Sequence, residues 1–251
     1  MSAIDRFNKH GMTKIINFEG LDCCFKETNS KFLTECLLKW GLKGKRYAFP
    51  NYDSPSSYFV KQWLHKAYDG MDLSFAVVED LYLLDQMDTF QQIAKEAEEG
   101  DFDFIVLDRF WPSGIYYNSA TGAGGIKSRF DSINSMRKKF QLPFPDAVIG
   151  MENTMPLIIE GINRRTPVEE QDKNESNHSF LRDVHHNFKI WLDNLEGYTE
   201  FKRHDAILKR IQVYRPIGMS STNTLKTRDE LQEEFQQLAN MLARYIGVKV
   251  C

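Results

Sequence analysis

Short apolar runs alternate with longer helical patterns along this chain, and that alternation leaves few folds open. The clearest run is Phe-Ile-Val-Leu at 104–107, with Asp103 before it and Asp108 after it. A strand that is apolar at consecutive positions is buried on both faces, as in a parallel sheet covered by helices. Further runs occupy 14–18 and 146–151. The pattern predicts one layered α/β domain with a parallel sheet.

The composition is that of a soluble globular protein. Of 251 residues, 42% are hydrophobic and 27% charged, and no apolar run approaches the roughly 20 residues of a membrane span. A net charge of −3 does not attract nucleic acid, whereas small anions can still bind at local basic sites. The four cysteines show neither a disulfide framework nor a zinc spacing. We therefore expect a cytoplasmic protein that binds small molecules and neither membrane nor nucleic acid.

A polar segment at 166–178 is too short to be a domain, so residues 1–251 are expected to form a single domain with a short lid around 164–178. Thr227 and Glu230 form a capping box that predicts the start of a last helix. Further strands are expected at 46–49 and around 210–214. Helices are expected at 32–40, 58–67, 73–87, 89–99, 126–140, 158–163, 179–195 and 227–246.

The segment after the first strand has the context of a phosphate-binding Walker A loop, with Gly20 and Lys26 at the right spacing. Phe25 replaces the second glycine and, if that position needs a positive φ, costs roughly 1–2 kcal/mol. Glu27 replaces the hydroxyl residue and would repel phosphate unless Mg²⁺ or Lys26 lies between them, although a carboxylate can itself bind Mg²⁺. Thr28 offers a hydroxyl one residue later. The alternative is an ordinary strand-to-helix turn.

Other segments extend this loop into a larger pattern. Residues 18–22 (F-E-G-L-D) and 26–31 resemble the F-E-G-x-D-x-x-G-K-[ST]-T-Q start of thymidylate kinases. Residues 49–52 (F-P-N-Y), 107–110 (L-D-R-F) and 142–146 (L-P-F-P-D) are similar to the family's F-P-R-Y, D-R-[YF] and L-P-x-P-D segments. Asp172-x-x-Glu175, then Phe180 and Val184, resembles the pattern of its lid and the helix that follows.

The resemblance implies a three-layer P-loop kinase fold, with a five-stranded parallel sheet flanked by helices, and transfer of the ATP γ-phosphate to dTMP with Mg²⁺. By position, Asp22 would lie beside the reacting phosphates and Lys26 would bridge the β- and γ-phosphates. Arg109 would hold the acceptor phosphate. Asp108 would join the Mg²⁺ shell or orient Arg109. The implied ATP-binding residues are Gly20, Lys26, Glu27 and Thr28.

The lid supplies further candidates. Arg164 and Arg165 are candidate catalytic cations above the transferring phosphate, and the alternative is that they are solvated lid charges. Glu175 is an acid of the lid pattern. The candidate magnesium ligands are Glu27, Asp108 and Glu175.

The acceptor pocket follows from the same resemblance, which implies binding by Phe49, Tyr52, Tyr82, Gln86, Arg109 and Tyr117. Tyr82 stands where the family stacks an aromatic ring on thymine, and its alternative role is that of a core aromatic. Tyr117 stands where an aromatic crowds the sugar 2′ position and favours deoxyribose. Asn51 and Gln86 stand where the family has arginines, the second of which grips the acceptor phosphate.

Two functions remain open from the sequence. The first is a divergent deoxynucleoside monophosphate kinase that uses ATP and Mg²⁺ on dTMP or a related, possibly modified, pyrimidine deoxynucleotide. The second is a non-catalytic nucleotide-binding or interaction protein, a pseudokinase that keeps the fold. The resemblance also implies a homodimer packed through helices, and we expect the apolar helix that begins at Leu73 to form the contact.

Overall fold

The computed structural model describes residues 4, 7, 13–71, 73–121, 125–198, 206–216 and 223–247. Five parallel strands form its central sheet: β1 Lys14–Glu19, β2 Gly44–Ala48, β3 Phe104–Asp108, β4 Ala147–Glu152 and β5 Ile207–Gln212. The strand order is β2-β3-β1-β4-β5. The longer helices are α1 Lys26–Lys39, α2 Tyr58–Leu64, α3 Phe75–Gly100, α4 Ser113–Ser119, α5 Ile126–Lys139, α6 Met155–Arg165, α7 His178–Asn194 and α8 Arg228–Ile246. The parallel sheet and its flanking helices confirm the predicted fold class.

The central strands are apolar because helices cover both faces of the sheet. Every residue of β3 and β4 is buried. Phe235 of α8 stacks on Phe18 of β1 at 5.8 Å between ring centroids. Phe90 of α3 stacks on Phe110, just beyond β3, at 5.7 Å. In such sheets, ligands bind outside the carboxyl ends of the strands, where the connections from neighbouring strands leave in opposite directions.

Helix α3 differs from the sequence-based expectation, because it is one continuous helix rather than separate helices at 73–87 and 89–99. The polar residues at the expected break do not end the helix, since their side chains bond to the loop after β2. Asp88 accepts a hydrogen bond from Ser54 at 3.4 Å, and Thr89 accepts one from Asn51 at 3.3 Å. Tertiary hydrogen bonds therefore override the weak helix propensity of aspartate and threonine.

Smaller features follow expectation or add to it. Thr227 and Glu230 form the predicted capping box at the start of α8. A hairpin of β6 Tyr214–Pro216 and β7 Asn223–Leu225 was not predicted, and the residues at its tip lie outside the described part. The described cysteines form no disulfide, and Cys251 lies outside the described residues. No helix in the described part of the chain is both long and apolar enough to cross a membrane.

Candidate active site

The loop between β1 and α1 has the backbone of a phosphate-binding turn. Gly20 has φ 148°, and a Cβ added there would lie 2.5 Å from the carbonyl oxygen of Met151 in β4. Cys23 and Phe25 both have φ 57°. Position 25 therefore adopts a positive φ. From the sequence, phenylalanine is expected to be strained in this conformation. Residues in this conformation turn successive N–H groups towards a common point and form anion-binding concavities.

Lys26 is the first residue of α1 and is buried. Its Nζ donates a hydrogen bond to the carbonyl oxygen of Leu21 at 2.6 Å, so the ammonium group lies inside the loop. Burial and the nearby Arg109 charge lower the pKa of Lys26. A cation held at the N-terminus of a helix is suited to phosphate binding, because the helix end and the ammonium group both attract negative charge.

Arg109 and Asp22 form an ion pair beside this lysine. Arg109 Nη2 lies 2.6 Å from Asp22 Oδ1, and Nη1 donates to the carbonyl oxygen of Gly20 at 2.9 Å. Burial alone would raise the pKa of Asp22, but Arg109, Lys26 and Arg165 together lower it to about 2. Asp22 is therefore ionised at neutral pH. The structure brings together the three residues that were predicted to lie at the reacting phosphates.

A buried carboxylate that sequence reasoning did not single out supports this cluster. Glu19 ends β1 and accepts hydrogen bonds from Tyr116 at 2.7 Å, Ser113 at 2.5 Å and the Phe110 backbone at 3.1 Å. Asn17 donates a further bond at 2.8 Å. Burial raises the pKa of Glu19. Its bonds join the end of β1 to the segment after β3, which carries Arg109.

Glu27 and Thr28, predicted to replace the usual hydroxyl ligand, both lie at the surface. Glu27 forms an ion pair with Lys31 at 2.5 Å, one helical turn later. This hydrogen bond and charge lower the pKa of Glu27. The carboxylate therefore turns along α1 instead of towards the loop.

The other two candidate magnesium ligands are also paired. Asp108 Oδ2 lies 2.6 Å from Arg46 Nη2, and Arg46 Nε donates to Ser30 at 2.7 Å. Glu175 pairs with Arg165. Among the residues that the structure describes, no group of three or more histidine, cysteine or acidic side chains could hold a metal ion. Mg²⁺ commonly takes only one or two protein carboxylates and completes its shell with phosphates and water.

The two lid arginines differ in position. Arg164 pairs with Glu160 on its own helix, and its side chain is 78% exposed. Arg165 pairs with Glu175 and is close enough to help lower the pKa of Asp22. Only Arg165 therefore lies near Asp22 and Arg109, whereas Arg164 is a solvent-exposed charge of the lid.

A cleft of about 920 Å³, including its open mouth, extends from this cluster over α3 and α4. Asp172 of the lid segment also lines it. The lid contacts α2 across the cleft through Lys173. The Lys173 backbone N–H donates to the Leu64 carbonyl oxygen at 3.0 Å, and the Lys173 ammonium group lies 5.6 Å from the centroid of the Trp63 ring. All six predicted acceptor-binding residues line the cleft: Phe49, Tyr52, Tyr82, Gln86, Arg109 and Tyr117.

Glu79 and Asn118 are cleft residues that the sequence reasoning missed. Asn118 Nδ2 donates to Glu79 Oε2 at 3.0 Å. Burial raises the pKa of Glu79 to about 7, although Arg129 and Asn118 act to lower it. A glutamate within an apolar helical stretch gives a weak sequence signal, namely one charge on a face that is otherwise apolar.

Gly20→Ala is expected to destabilise the protein by about 2–4 kcal/mol, because the new methyl group meets the Met151 carbonyl and the backbone conformation disfavours side chains. Urea unfolding measures the change. Gly197→Ala is the matched control, since no atom lies within 4 Å of the added Cβ and φ is not positive. Equal stability of both variants would contradict the close approach.

Glu79→Gln should alter how stability depends on pH. The folded protein holds a proton at Glu79 more tightly than the unfolded chain, so stability should fall as pH rises from about 4.5 to about 7. Glutamine removes this loss, and between pH 5.5 and pH 8 the variant should gain about 2 kcal/mol relative to the parent. Urea unfolding at both pH values checks this. Identical pH dependence in the two proteins would show that the Glu79 pKa is ordinary.

The parallel sheet, the strand-to-helix loop and the buried lysine are those of the P-loop kinase fold. The chain belongs to the thymidylate kinase family, whose sequence model matches residues 18–206. Among solved structures, it is similar to thymidylate kinase from Candida albicans, an enzyme described as having broad substrate specificity. The TM-score is 0.65 at 19% identity, over 93% of this chain and 94% of that chain, which shows the shared fold. No curated protein matches the sequence.

Proposed function

We propose that the protein transfers the γ-phosphate of ATP to the phosphate of a pyrimidine deoxynucleoside monophosphate, dTMP or a relative of it. The observation that carries this proposal is the contact between Asp22 and Arg109 beside Lys26, at the point where the phosphate loop opens into the cleft. A donor phosphate on the loop and an acceptor phosphate at the cleft end would meet there. Phosphoryl transfer depends mainly on such positioning and on charge stabilisation.

Each of these side chains has a specific role in the proposed reaction. Lys26 would exchange its bond to the Leu21 carbonyl for the β- and γ-phosphate oxygens of ATP. Arg109 would bind the acceptor phosphate, while Asp22 and the Gly20 carbonyl hold its guanidinium in place. Arg165 would add positive charge from the lid.

Mg²⁺ fits this site as an ion shared with the nucleotide, because the described residues form no all-protein cage and Mg²⁺ needs few carboxylates when phosphates are present. Asp22 and Asp108 are two carboxylates at this edge of the sheet that would hold it directly or through water. When bound, the ion would neutralise charge on the phosphate oxygens. Glu27 would contribute only after leaving Lys31.

The cleft supports a nucleoside as the acceptor. Tyr82 is half-buried, and the Trp63 ring packs edge-on against it at 6.4 Å between centroids. This contact would hold the Tyr82 ring in place for stacking on a base. The Arg109 guanidinium carbon lies 5.5 Å from the centroid of the Tyr117 ring. In this position the Tyr117 ring would crowd a ribose 2′-hydroxyl. We therefore expect deoxynucleotides to be preferred.

A coupled assay of ADP release tests the proposal. Deoxynucleoside monophosphates with each base are offered with ATP and Mg²⁺, and turnover is expected on at least one pyrimidine. The corresponding ribonucleotide should react at least about 10-fold more slowly. An absence of turnover on every acceptor would overturn the proposal.

The alternative, a non-catalytic nucleotide-binding protein, is favoured by one observation. Glu27 has replaced the hydroxyl residue, and its carboxylate bonds to Lys31 at the surface, so the loop offers no direct substitute for the usual magnesium ligand. Thermal shifts measured together with ADP release distinguish the two functions. A non-catalytic protein would be stabilised by ATP with Mg²⁺ while releasing no ADP, because any ligand that binds only the folded state raises the melting temperature.

We also propose a homodimer through α3. Val77 and Leu84 are 43% and 44% exposed and lie seven residues apart, so they share one stripe of the helix. Phe59 of α2 is exposed as well. Leu84→Glu should convert a dimer to a monomer in light scattering, because it places a charge within an apolar contact. Val168→Glu is the control, since Val168 is an exposed apolar residue of the lid. A parent protein that is monomeric at micromolar concentration would contradict the proposal.

A further inference from the structure

Glu79 holds a hydrogen-bond acceptor without a partner in the wall of the cleft. The side chain is only 7% exposed, and its Oε2 accepts the bond from Asn118. Its Oε1 has no hydrogen-bond partner among the described residues. Arg129 attracts the carboxylate electrostatically without bonding to Oε1, and its own Nε also has no hydrogen-bond partner among the described residues. A buried carboxylate oxygen in this condition is costly, so its presence in a ligand cleft points to a ligand that supplies a donor.

Glu79 lies in the first turns of α3, which begins at Phe75. Farther along the same helix, Phe90 stacks on Phe110, the residue after Arg109, so that part of α3 lies at the phosphate end. Gln86 lies two turns beyond Glu79, about 10 Å along the helix axis, and lines the same cleft. The N-terminal half of α3 therefore borders the part of the cleft where the base of a bound nucleotide would lie.

We propose that Glu79 selects a pyrimidine deoxynucleoside monophosphate whose base carries an exocyclic hydroxyl or amino donor, in preference to dTMP. This inference rests on the proposed function and names its acceptor. An exocyclic donor at the base edge would bond to Oε1, whereas the exocyclic groups of thymine are a methyl and two carbonyl oxygens, so that only its ring N3–H could supply the bond. Sites built around such a bond discriminate strongly against analogues that lack the donor. A carboxyl pKa near 7 leaves a substantial ionised fraction at neutral pH to accept the bond.

The test compares kcat/KM for three acceptors, namely dTMP, 5-hydroxymethyl-dUMP and dCMP. A donor-bearing acceptor is expected to exceed dTMP by at least about 10-fold. The better of the two identifies the donor as a hydroxyl at C5 or an amino group at C4. Glu79→Leu should abolish or reverse the preference, because leucine suits a methyl group. Glu99→Gln, an exposed change on the same helix, should leave it intact.

Two outcomes would overturn the inference. One is a parent protein that uses dTMP at least as well as both donor-bearing acceptors, and the other is a preference that survives in Glu79→Leu. If Glu79→Leu does not fold, Glu79→Gln replaces it and should reduce the preference by at least about threefold.

Calorimetric binding of the same three nucleotides separates this inference from the proposed reaction. A preference in Kd without turnover would support the role of Glu79 while the kinase proposal fails. Equal affinities, or tighter binding of dTMP, would overturn the role of Glu79 whether or not turnover occurs.

Discussion

Lys26→Ala is expected to lower kcat by about 100- to 1000-fold, with a smaller change in the KM of the acceptor. The ammonium group is buried inside the phosphate loop, where it would stabilise the charge that develops on the transferring phosphoryl group. Steady-state kinetics with ATP and the best acceptor measure the change. The acceptor KM should change little, because Lys26 acts on the donor phosphates.

Lys39→Ala is the matched control for this substitution. Lys39 lies at the exposed end of the same helix, so kcat should be unchanged. Equal activities of Lys26→Ala and the parent would show that the loop does not hold the donor in the expected way.

Arg109→Met is expected to reduce kcat/KM by about 1000-fold, mostly through the KM of the acceptor. Arg109 donates hydrogen bonds to Asp22, to the Gly20 carbonyl and to Tyr117, and these hold its guanidinium in place. A bound phosphate would add charge-assisted bonds worth roughly 1.5–3 kcal/mol each. Its loss also leaves Asp22 without its ion-pair partner, so the pKa of Asp22 should rise from about 2. Initial rates over a range of acceptor concentrations, with a thermal melt of each variant, separate binding from stability.

Two further substitutions sharpen this result. Arg109→Lys keeps the charge but loses the planar fork, and should recover only part of the activity. Arg182→Met removes an exposed arginine of α7 and should have no effect. If Arg109→Met bound the acceptor as well as the parent, Arg109 would not be the acceptor-phosphate ligand.

The sheet was predictable because burial leaves a strong sequence signal. The run at 104–107 is apolar at every position, and its strand is covered on both faces. Helix ends were less predictable where they depend on tertiary bonds. The continuity of α3 through Asp88 follows from a bond to Ser54, a residue 34 positions away along the chain.

The candidate site was partly predictable for a related reason. Gly20, Asp22, Lys26 and Arg109 occupy positions whose backbone and spacing constrain the residue type, and the structure brings them together. The partners of exposed or half-exposed charges left no such signal. Both Arg164 and Arg165 were predicted from the sequence as candidate catalytic cations, but only Arg165 lies near Asp22.

The sequence also could not show that the candidate magnesium ligands are paired with basic side chains. Asp108 is paired with Arg46, a residue of the edge strand β2 that becomes its neighbour only when β2 and β3 align. Glu27 is paired with Lys31 through helical spacing. Glu79 was missed because its importance depends on its burial and on its bond to Asn118, neither of which follows from local sequence.

We expect the altered phosphate loop still to support phosphoryl transfer between two nucleotides. Phosphorus NMR of the protein with ATP, Mg²⁺ and the pyrimidine deoxynucleoside monophosphates tests it most directly, because it identifies where the γ-phosphate goes. We expect a nucleoside diphosphate of the acceptor to accumulate in equal amount with ADP, and Lys26→Ala to suppress both. Unchanged ATP, or ADP accompanied only by inorganic phosphate, would contradict it.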